Sequence, residues 1–437
     1  MANKMTVMTG WLVVSADKVL KDHGFICADG KVVAIKPNKE LENETDIRDF
    51  RKYIVTPGFV NTHHHMYEAI GRGLPTTTGA KSLKPILEEY WWPMVENRVT
   101  TDIIRVTTRY AVMLMLKAGY TCVGDILEAP NATFGERLST EKKVMEQAGM
   151  KAVLSVESNE RLSRELGESA LMENYEFTKQ QMEAGSHIRG MMCTHTTFSS
   201  SPEFLRKARR LSRELDGRMV IHLDEGPDEG NYCYEKYGKR PVELYEEMDF
   251  LDDKLLAGQC VTMDPREIEF MIRRKVNVSH QPISNCINGD GFAPIIDFVK
   301  GGNHIGFGTD GSVCNPFETM RAAACIQRSA RLDLTYMPND LLLKIATEDG
   351  AIALGYTDVG KLDVGYCADF LVIPQGDYYW VDDTILDEIV MFKNPGDIYE
   401  VYTDGVLRCR NGVVVGLDEA EVMGELSEEV KKFRRNA

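Results

Sequence analysis

The feature that most restricts the fold of this chain is an alternation in its middle part, where short apolar runs alternate with longer segments of helical periodicity. Eight runs have the length of buried strands: residues 59–62, 121–125, 151–155, 190–195, 218–222, 255–261, 276–280 and 305–310. Strands that alternate with helices favour a parallel sheet with the helices packed on its faces. Eight such units over about 250 residues predict an α/β fold of the (β/α)8 TIM barrel type.

The two ends of the chain show a different pattern. Short apolar runs separated by charged residues occur before residue 57 and again after residue 364, with Asp-Gly and Asn-Gly pairs between them. Such pairs favour tight turns between antiparallel strands. We therefore predict a small β-sandwich domain built from residues 1–56 together with 365–437, beside a barrel of residues 57–364.

Charge and composition argue against several classes of protein. The 437 residues have a formal net charge of −16, so we expect no basic surface that could neutralise the phosphates of nucleic acid. No run reaches the roughly 20 apolar residues that a membrane span needs, and the first ten residues lack the apolar core of a signal peptide. The ten cysteines are widely spaced, which is typical of reduced thiols. We expect a cytoplasmic protein that binds neither nucleic acid nor membrane.

Histidines and one aspartate follow the predicted strands. His63 and His65 can direct two imidazoles at one point, because alternate residues of a strand face the same side. His222 ends the fifth run and Asp310 the eighth, and the carboxyl ends of barrel strands meet at one face. Taken singly, a buried histidine is usually a hydrogen-bonded core residue, and Asp310-Gly311 is typical of a turn. Together, three imidazoles and one carboxylate predict a site for Zn²⁺ or Fe²⁺ with room for a water molecule.

Proton transfer at such a site requires a further side chain. A divalent ion lowers the pKa of bound water toward about 7 and makes hydroxide available. Glu225 lies three residues after His222, and we predict that it protonates a ring nitrogen and then the leaving group. Asp310 could bind the metal and also accept the proton of the water. The alternative for Glu225 is a solvated loop carboxylate beside Asp224 and Asp228.

Four segments resemble motifs of the amidohydrolase superfamily, and within it the mononuclear deaminase and triazine-hydrolase branch. Residues 57–65 resemble its first-strand metal motif, 222–225 its fifth-strand histidine and proton-shuttling glutamate, 279–285 its seventh-strand segment, and 308–312 its eighth-strand aspartate motif. The resemblance covers nearly the whole chain. It implies a hydrolytic deaminase of a small nitrogen heterocycle, of the purine, pyrimidine, pterin or triazine type. It also implies one divalent metal ion per chain, Zn²⁺ before Fe²⁺, and a homo-oligomer.

The sixth strand departs from the family pattern. The family usually has a histidine where this chain has Gln259, within residues 256–261. Glutamine can hydrogen-bond water or a carbonyl group but cannot take up a proton near neutral pH, so acid and base catalysis would fall on Glu225 and Asp310. The resemblance predicts Gln259 and His195 as substrate-binding residues, with a hydrogen-bonded barrel residue as the alternative for His195. Residues 191–195 lack the lysine of two-metal members, which favours one metal.

Two other functions stay open at this point. The same hydroxide could displace halide or an alkylamine, or open a cyclic amide, because pocket residues rather than the fold determine the reaction. Gln259 could instead mark a protein that binds metal and ligand with weakened catalysis. Trp91, Trp92 and the tyrosine-rich segment 232–241, which is similar to that of purine and triazine aminohydrolases, could stack on a flat heterocycle.

Overall fold

The computed structural model describes residues 4–74, 79–311, 314–376 and 384–435. Ser312, the last residue of the segment that resembles the aspartate motif, lies outside these ranges. The strands of the described residues are β1 (Lys4–Ser15), β2 (Lys18–Lys21), β3 (His23–Ala28), β4 (Lys31–Pro37), β5 (Ile47–Pro57), β6 (Phe59–His64), β7 (Tyr120–Leu127), β8 (Lys151–Val156), β9 (Ile188–Gly190), β10 (Met192–Cys193), β11 (Met219–Leu223), β12 (Leu255–Gln259), β13 (Asn277–His280), β14 (Ile305–Phe307), β15 (Phe370–Pro374), β16 (Glu400–Thr403), β17 (Val406–Arg410) and β18 (Val413–Val414).

Most of the helices follow strands of the barrel, and a long helix is the last element of the described chain. Those of the described residues are α1 (Asn38–Leu41), α2 (Leu83–Ile86), α3 (Trp92–Met94), α4 (Thr101–Ala118), α5 (Arg137–Ala148), α6 (Arg164–Ala184), α7 (Pro202–Glu214), α8 (Pro227–Tyr237), α9 (Pro241–Glu247), α10 (Pro265–Arg273), α11 (Pro282–Asn288), α12 (Ile295–Gly301), α13 (Pro316–Arg331), α14 (Asn339–Lys344), α15 (Gly350–Ala353), α16 (Ile385–Asp387) and α17 (Glu419–Arg435). Short 3-10 or π turns join some of them, including Met66–Gly71 after β6. No helix among these residues is long and apolar enough to cross a bilayer.

The middle of the chain forms the predicted barrel. Parallel pairing joins β6 to β9 in chain order, and likewise β10 to β14. Two single bridges connect these sheets, one between Ser158 and Thr194 and the other between His64 and Asp310. Each of the eight predicted runs overlaps a strand, and the fourth barrel position is divided between β9 and β10. The α/β fold of the (β/α)8 type is therefore confirmed.

Helix α4 shows how the local sequence determines the ends and the buried face of a helix that packs around the barrel. It begins after Thr100, whose side-chain oxygen accepts a hydrogen bond from the backbone N–H of Ile103. It ends at Gly119, whose φ of 89° lies in the left-handed region that glycine adopts without a Cβ clash. Val112 and Leu116, four positions apart, belong to its buried side. The amphipathic pattern thus fixes which face covers the barrel.

Both ends of the chain contribute to a second β structure. Within the described residues, nine strands form one sheet in the order β18-β17-β16-β15-β5-β1-β3-β4, with β2 paired to β1. The sheet curls so that β4 approaches the segment before β15, where the N–H of Val32 donates to the carbonyl of Tyr366 over 2.9 Å. Phe370 stacks on Tyr402 at 4.3 Å between ring centroids inside this curled sheet. The domain boundaries at residues 57 and 364 stay a prediction.

A buried ion pair connects the barrel to the terminal sheet. The Nζ of Lys151, at the start of β8, donates to Oδ1 of Asp369 over 2.8 Å and to Oδ1 of Asp404 over 2.7 Å. The side chains of Lys151 and Asp369 are only 1% and 2% exposed. Burial opposes the charged form, but the nearby carboxylates raise the pKa of Lys151 above its ordinary value. Lys151 therefore stays charged at neutral pH.

Replacing Lys151 with methionine is expected to lower the free energy of unfolding by about 3–5 kcal/mol, because Asp369 is left buried without its cation. Urea unfolding followed by fluorescence measures this change. The matched control is Lys431→Met, which removes an exposed lysine paired with Glu428 and should cost less than about 1 kcal/mol. Equal losses in the two variants would contradict a structural role for the buried pair.

Candidate metal centre

The four predicted ligands converge at the carboxyl end of the barrel strands. The Nε2 atoms of His63 and His65 lie 3.1 Å apart, and Nε2 of His222 lies 3.4 Å from that of His65. Oδ1 of Asp310 is 3.1 Å from Nε2 of His65 and 3.8 Å from that of His63. Four ligand atoms around a tetrahedral Zn²⁺ with bonds of about 2.0–2.1 Å would be about 3.3 Å apart. The observed spacings match that geometry.

A hydrogen bond to His65 and a longer contact of His222, both on the far side of the rings, orient these two residues toward the centre. Nδ1 of His65 lies 2.8 Å from the carbonyl oxygen of Ile126, which can only accept, so Nδ1 carries the proton and Nε2 keeps its lone pair. Nδ1 of His222 faces Oε2 of Glu157 at 3.9 Å. The ligand histidines are therefore turned so that their Nε2 atoms face one another.

The protonation states also suit a cation. Burial lowers the pKa of His63 to about 3, and burial together with the neighbouring His63 holds the pKa of His222 well below its ordinary value. Burial opposes protonation of His65 too, but the hydrogen bond and charge of Asp310 raise its pKa well above the ordinary value. His63 and His222 are therefore neutral at pH 7, and a divalent metal would take the place of the proton that Asp310 draws to Nε2 of His65. The residues present thus fit a metal ion.

Asp310 is held by polar side chains from the sixth and seventh barrel units. Ser284 donates to its Oδ2, as does Nε2 of Gln259 over 3.4 Å. Burial opposes ionisation, but His65 lowers the pKa of Asp310 far below its usual range. Oε1 of Gln259 accepts a hydrogen bond from Asn285 over 2.6 Å, and its backbone N–H donates to Gln281. Gln259 therefore links Asp310 to helix α11, and its predicted contact with substrate stays a prediction.

Some of the positive φ angles of the described residues occur at the same strand ends. Four non-glycine residues there have positive φ angles: Asp224 (48°), Gln259 (72°), Cys260 (54°) and Asp310 (54°). Side chains with a Cβ disfavour this region, although aspartate tolerates it better than most. Such strain commonly accompanies functional sites. At Asp310 the conformation coincides with a hydrogen bond of 3.0 Å from its N–H to the carbonyl of His63.

Glu225 lies in the cavity beside the ligands. It follows β11 and is only 6% exposed, so the alternative of a solvated loop carboxylate does not hold. Burial, with the charges of Asp310 and Asp290, raises the pKa of Glu225 well above its ordinary value. A carboxyl group kept neutral near pH 7 can donate a proton. The position and environment of Glu225 therefore suit the predicted proton transfer.

His195 also lines the cavity, although its ring is buried. Its Nδ1 lies 3.2 Å from the hydroxyl oxygens of both Ser199 and Thr196. The rings of Trp92 and Phe198 contact it edge-on at 6.0 and 5.6 Å between centroids. Burial lowers the pKa of His195 to about 4, so the ring is neutral at pH 7. His195 is thus a hydrogen-bonded barrel residue that also faces the cavity, and its contact with substrate stays a prediction.

The cavity over these residues measures about 220 Å³. Its apolar wall consists of Leu83, Ile86, Leu87 and Trp91. Of the other aromatic residues that the sequence suggested, Trp92 packs against His195, and Tyr232 of α8 lies 6.3 Å from Phe198. A larger cavity of about 530 Å³ near the start of β11 contains none of the predicted site residues. The smaller cavity is therefore the one that predicted metal ligands and Glu225 line.

A group of buried carboxyls beside the centre was not predicted from the sequence. Tyr67 donates to Glu128 over 2.8 Å, and Arg161 donates to Glu96 over 2.8 Å. Burial opposes ionisation of Glu128, but hydrogen bonds from Glu96 and Glu157 lower its pKa well below the ordinary value. Burial, with the charge of Glu128, raises the pKa of Glu96 and of Glu157 well above the ordinary value. Glu128 and Glu157 directly follow β7 and β8, and that position after a barrel strand is the signal that could have found them.

A second acid pair supports the segment after His65. Oδ1 of Asp125 accepts a hydrogen bond of 2.9 Å from the N–H of Met66. The carboxyl group of the buried Glu141 faces Asp125 and has no other hydrogen-bond partner among the described residues. Burial raises the pKa of Asp125 to about 6, and burial with the charge of Asp125 raises that of Glu141 well above its ordinary value. A raised carboxyl pKa means that the folded chain binds more protons, so stability falls as pH rises above the unfolded pKa.

Replacing Glu141 with glutamine is therefore expected to stabilise the protein more at pH 8 than at pH 5. The gain at pH 8 should be on the order of 1–3 kcal/mol, since glutamine needs no proton to stay neutral. Urea unfolding at both pH values, with saturating metal, measures it. Glu146→Gln, on the exposed side of α5, is the control. An equal gain at the two pH values would contradict this account of the pair.

Comparison with known proteins gives consistent matches. Residues 54–408 match the model of the amidohydrolase family. The chain is 30% identical to a 5'-deoxyadenosine deaminase of Methanosarcina acetivorans, with 93% of this chain and 92% of that protein covered. It is 28% identical to a 5-methylthioadenosine/S-adenosylhomocysteine deaminase of Caldicellulosiruptor saccharolyticus, with 96% of each covered.

A solved structure supports the fold. A zinc-bound adenosine deaminase from Xanthomonas campestris superposes with a TM-score of 0.89 at 21% identity, over 99% of this chain and 98% of that one. Similarity at this identity concerns the architecture. It agrees with the barrel and with the sheet that the two ends of the chain build.

Proposed function

Because the chain belongs to the amidohydrolase family, we propose that it is a hydrolytic deaminase of a small nitrogen heterocycle of the purine, pyrimidine, pterin or triazine type. The observation that carries the proposal is the convergence of His63, His65, His222 and Asp310 beside Glu225 in one cavity. Relatives that match over more than nine-tenths of their length carry the names of deaminases. Those names favour deamination over displacement of halide or an alkylamine.

A metal cofactor fits the family and the histidine-rich centre. We propose one divalent ion per chain, Zn²⁺ before Fe²⁺, held by His63, His65, His222 and Asp310. Zinc in a solved structure of the same fold supports this order. When bound, such an ion supplies a water molecule of lowered pKa, and hence hydroxide near neutral pH.

Two carboxyl groups divide the proton transfers. Oδ2 of Asp310 is held by Ser284 and Gln259, which leaves Oδ1 directed at the ligand histidines, where it can accept the proton of the attacking water. Glu225, whose pKa is raised by burial, donates its proton to a ring nitrogen of the heterocycle. It then takes up a proton that comes from the attacking water and delivers it to the departing amino group. Ammonia is a far better leaving group than an amide ion, so this second transfer permits the bond to break.

The remaining cavity residues orient the heterocycle. The neutral ring of His195 offers a hydrogen bond to substrate from the wall beside His222, whose ring centroid is 5.0 Å away. Trp91 and the leucines of 83–87 supply a flat apolar surface for a conjugated ring. Gln259, which cannot carry a proton, acts by positioning Asp310.

An ammonia-release screen tests the proposed function. Metal-loaded protein is incubated with aminopurines and their nucleosides, aminopyrimidines, pterins and aminotriazines, and products are identified by mass. We expect ammonia from at least one compound and a product with oxygen in place of the amino group. Release of halide or alkylamine without ammonia would favour the alternative hydrolysis. Binding without turnover across the panel would favour the binding-protein alternative.

Assembly and location are further parts of the proposal. We propose a cytoplasmic homo-oligomer, as the resemblance implies. Light scattering of the purified protein, coupled to size-exclusion chromatography, measures the number of chains. A mass of one chain at micromolar concentration would contradict the oligomer.

A further inference from the structure

Glu68 stands beside the metal centre without a role in the chemistry described above. It lies in the 3-10 turn Met66–Gly71, three residues after the ligand His65. A carboxyl oxygen of Glu68, a ring nitrogen of His65 and a carboxyl oxygen of Asp310 all lie within 4.8 Å of one another. A Cβ added to Gly311 would be only 1.3 Å from Oε2 of Glu68. The absence of a side chain at Gly311 therefore creates the space that this carboxyl group fills.

The cavity is unusually rich in acids. Its described lining contains neither lysine nor arginine, and five carboxyl side chains contribute to it: Glu68, Glu96, Glu128, Glu225 and Asp310. Three of them receive hydrogen bonds from protein side chains, in the pairs Arg161 to Glu96, Tyr67 to Glu128 and Ser284 to Asp310. Glu225 is assigned to proton transfer. Among these five described side chains, only Glu68 neither accepts a hydrogen bond from the protein nor has a part in the proposed reaction.

The surroundings of Glu68 leave its acceptor atoms available to a ligand. No hydrogen bond to its carboxyl group is found among the described residues, although its backbone N–H donates to the carbonyl of His65. Removing a carboxyl group from water without a donor costs free energy, which a bound N–H group would offset. Glu68 follows the first barrel strand and Glu225 the fifth, so the two face the cavity from opposite sides of an eight-stranded ring.

We propose that Glu68 is a specificity-determining residue that accepts a hydrogen bond from a second N–H group of the substrate. The favoured heterocycle then carries an amino or ring N–H donor in addition to the amino group that is hydrolysed. A phosphate or carboxylate substituent near this wall is disfavoured by the surrounding acids. This inference rests on the proposed function and narrows its substrate class.

Two substitutions and a pair of compounds test the proposal. The compounds are a 6-aminopurine nucleoside and the 2,6-diaminopurine nucleoside, which differ by one amino group. For the diamino compound, Glu68→Ala is expected to lower kcat/KM by about 10–100-fold, and Glu68→Gln by less, because a carbonyl oxygen still accepts a hydrogen bond. For the monoamino compound both variants should stay within about threefold of wild type. Glu89→Gln, at an exposed position on the same side of the barrel, is the matched control.

The outcomes separate this proposal from the proposed function. Metal content is measured in every variant, and loss of metal in Glu68→Ala would overturn the proposal by making Glu68 a ligand. Equal losses for both compounds, or no change for either, would also overturn it. If the wild type releases no ammonia from any heterocycle, the proposed function fails. Calorimetry on metal-loaded wild type and Glu68→Ala then decides the role of Glu68, because it measures the dissociation constant of each compound. The proposal expects the variant to bind the diamino compound more weakly and the monoamino compound as wild type does.

Discussion

Replacing His222 with alanine is expected to remove the bound metal and to lower the rate of ammonia release by about 1,000-fold or more. The ring of His222 supplies one of the three Nε2 atoms that converge at the centre. A metal that activates water contributes several kcal/mol to the transition state, and each 1.36 kcal/mol corresponds to a factor of ten in rate. Elemental analysis and kcat/KM for the best substrate of the screen measure both effects on the same preparation.

A surface histidine provides the control for this prediction. His304→Ala changes an exposed residue that contacts Asp349 at the amino end of β14, the end opposite to Asp310, and should leave metal content and rate unchanged. Alanine at 222 removes a ring that packs at 5.0 Å from His195, so the folded state of the variant is checked by circular dichroism. A folded His222→Ala protein with full metal content would contradict the assigned ligand set.

The second large effect is expected at Glu225. Glutamine has nearly the same shape as glutamate but cannot transfer a proton, so Glu225→Gln should lower kcat by about 100- to 10,000-fold. The metal ligands are untouched, so metal content should equal that of wild type. Stopped assays of ammonia release across pH measure the rate, and the limb of the pH profile that belongs to Glu225 should disappear.

The matched change lies on the neighbouring helix. Glu235→Gln alters an exposed glutamate of α8 and should keep at least half of the wild-type rate. A Glu225→Gln variant within tenfold of wild type would show that another group moves the proton. Asp310, which already contacts the ligand histidines, would then be the candidate.

The barrel could be predicted because each of its strands can be recognised from the local sequence pattern. A run such as 218–222 is apolar, short and followed by a polar segment, and it overlaps β11. The general rule that the carboxyl ends of barrel strands share one face then brings His65 of the first strand and Asp310 of the eighth together. No local signal is needed for that contact. The rule and the strand positions suffice.

The parts that the sequence did not predict depend on conformations with no local signal. Gln259 adopts a left-handed φ of 72°, which directs its side chain to Asp310 and Asn285. The position of Glu68 depends on a short 3-10 turn after β6 and on the space over Gly311, two features from opposite ends of the barrel sequence. These contacts form only in the folded barrel, so the periodicity of the sequence does not predict them.

The most direct test of the central claim is ammonia release by metal-stripped wild type before and after one equivalent of Zn²⁺ or Fe²⁺ per chain. The account predicts negligible release without metal, recovery after the addition, and product oxygen that derives from water labelled with oxygen-18. The same addition to His222→Ala should restore nothing. Equal release with and without metal, or none from any heterocycle after reconstitution, would contradict the account.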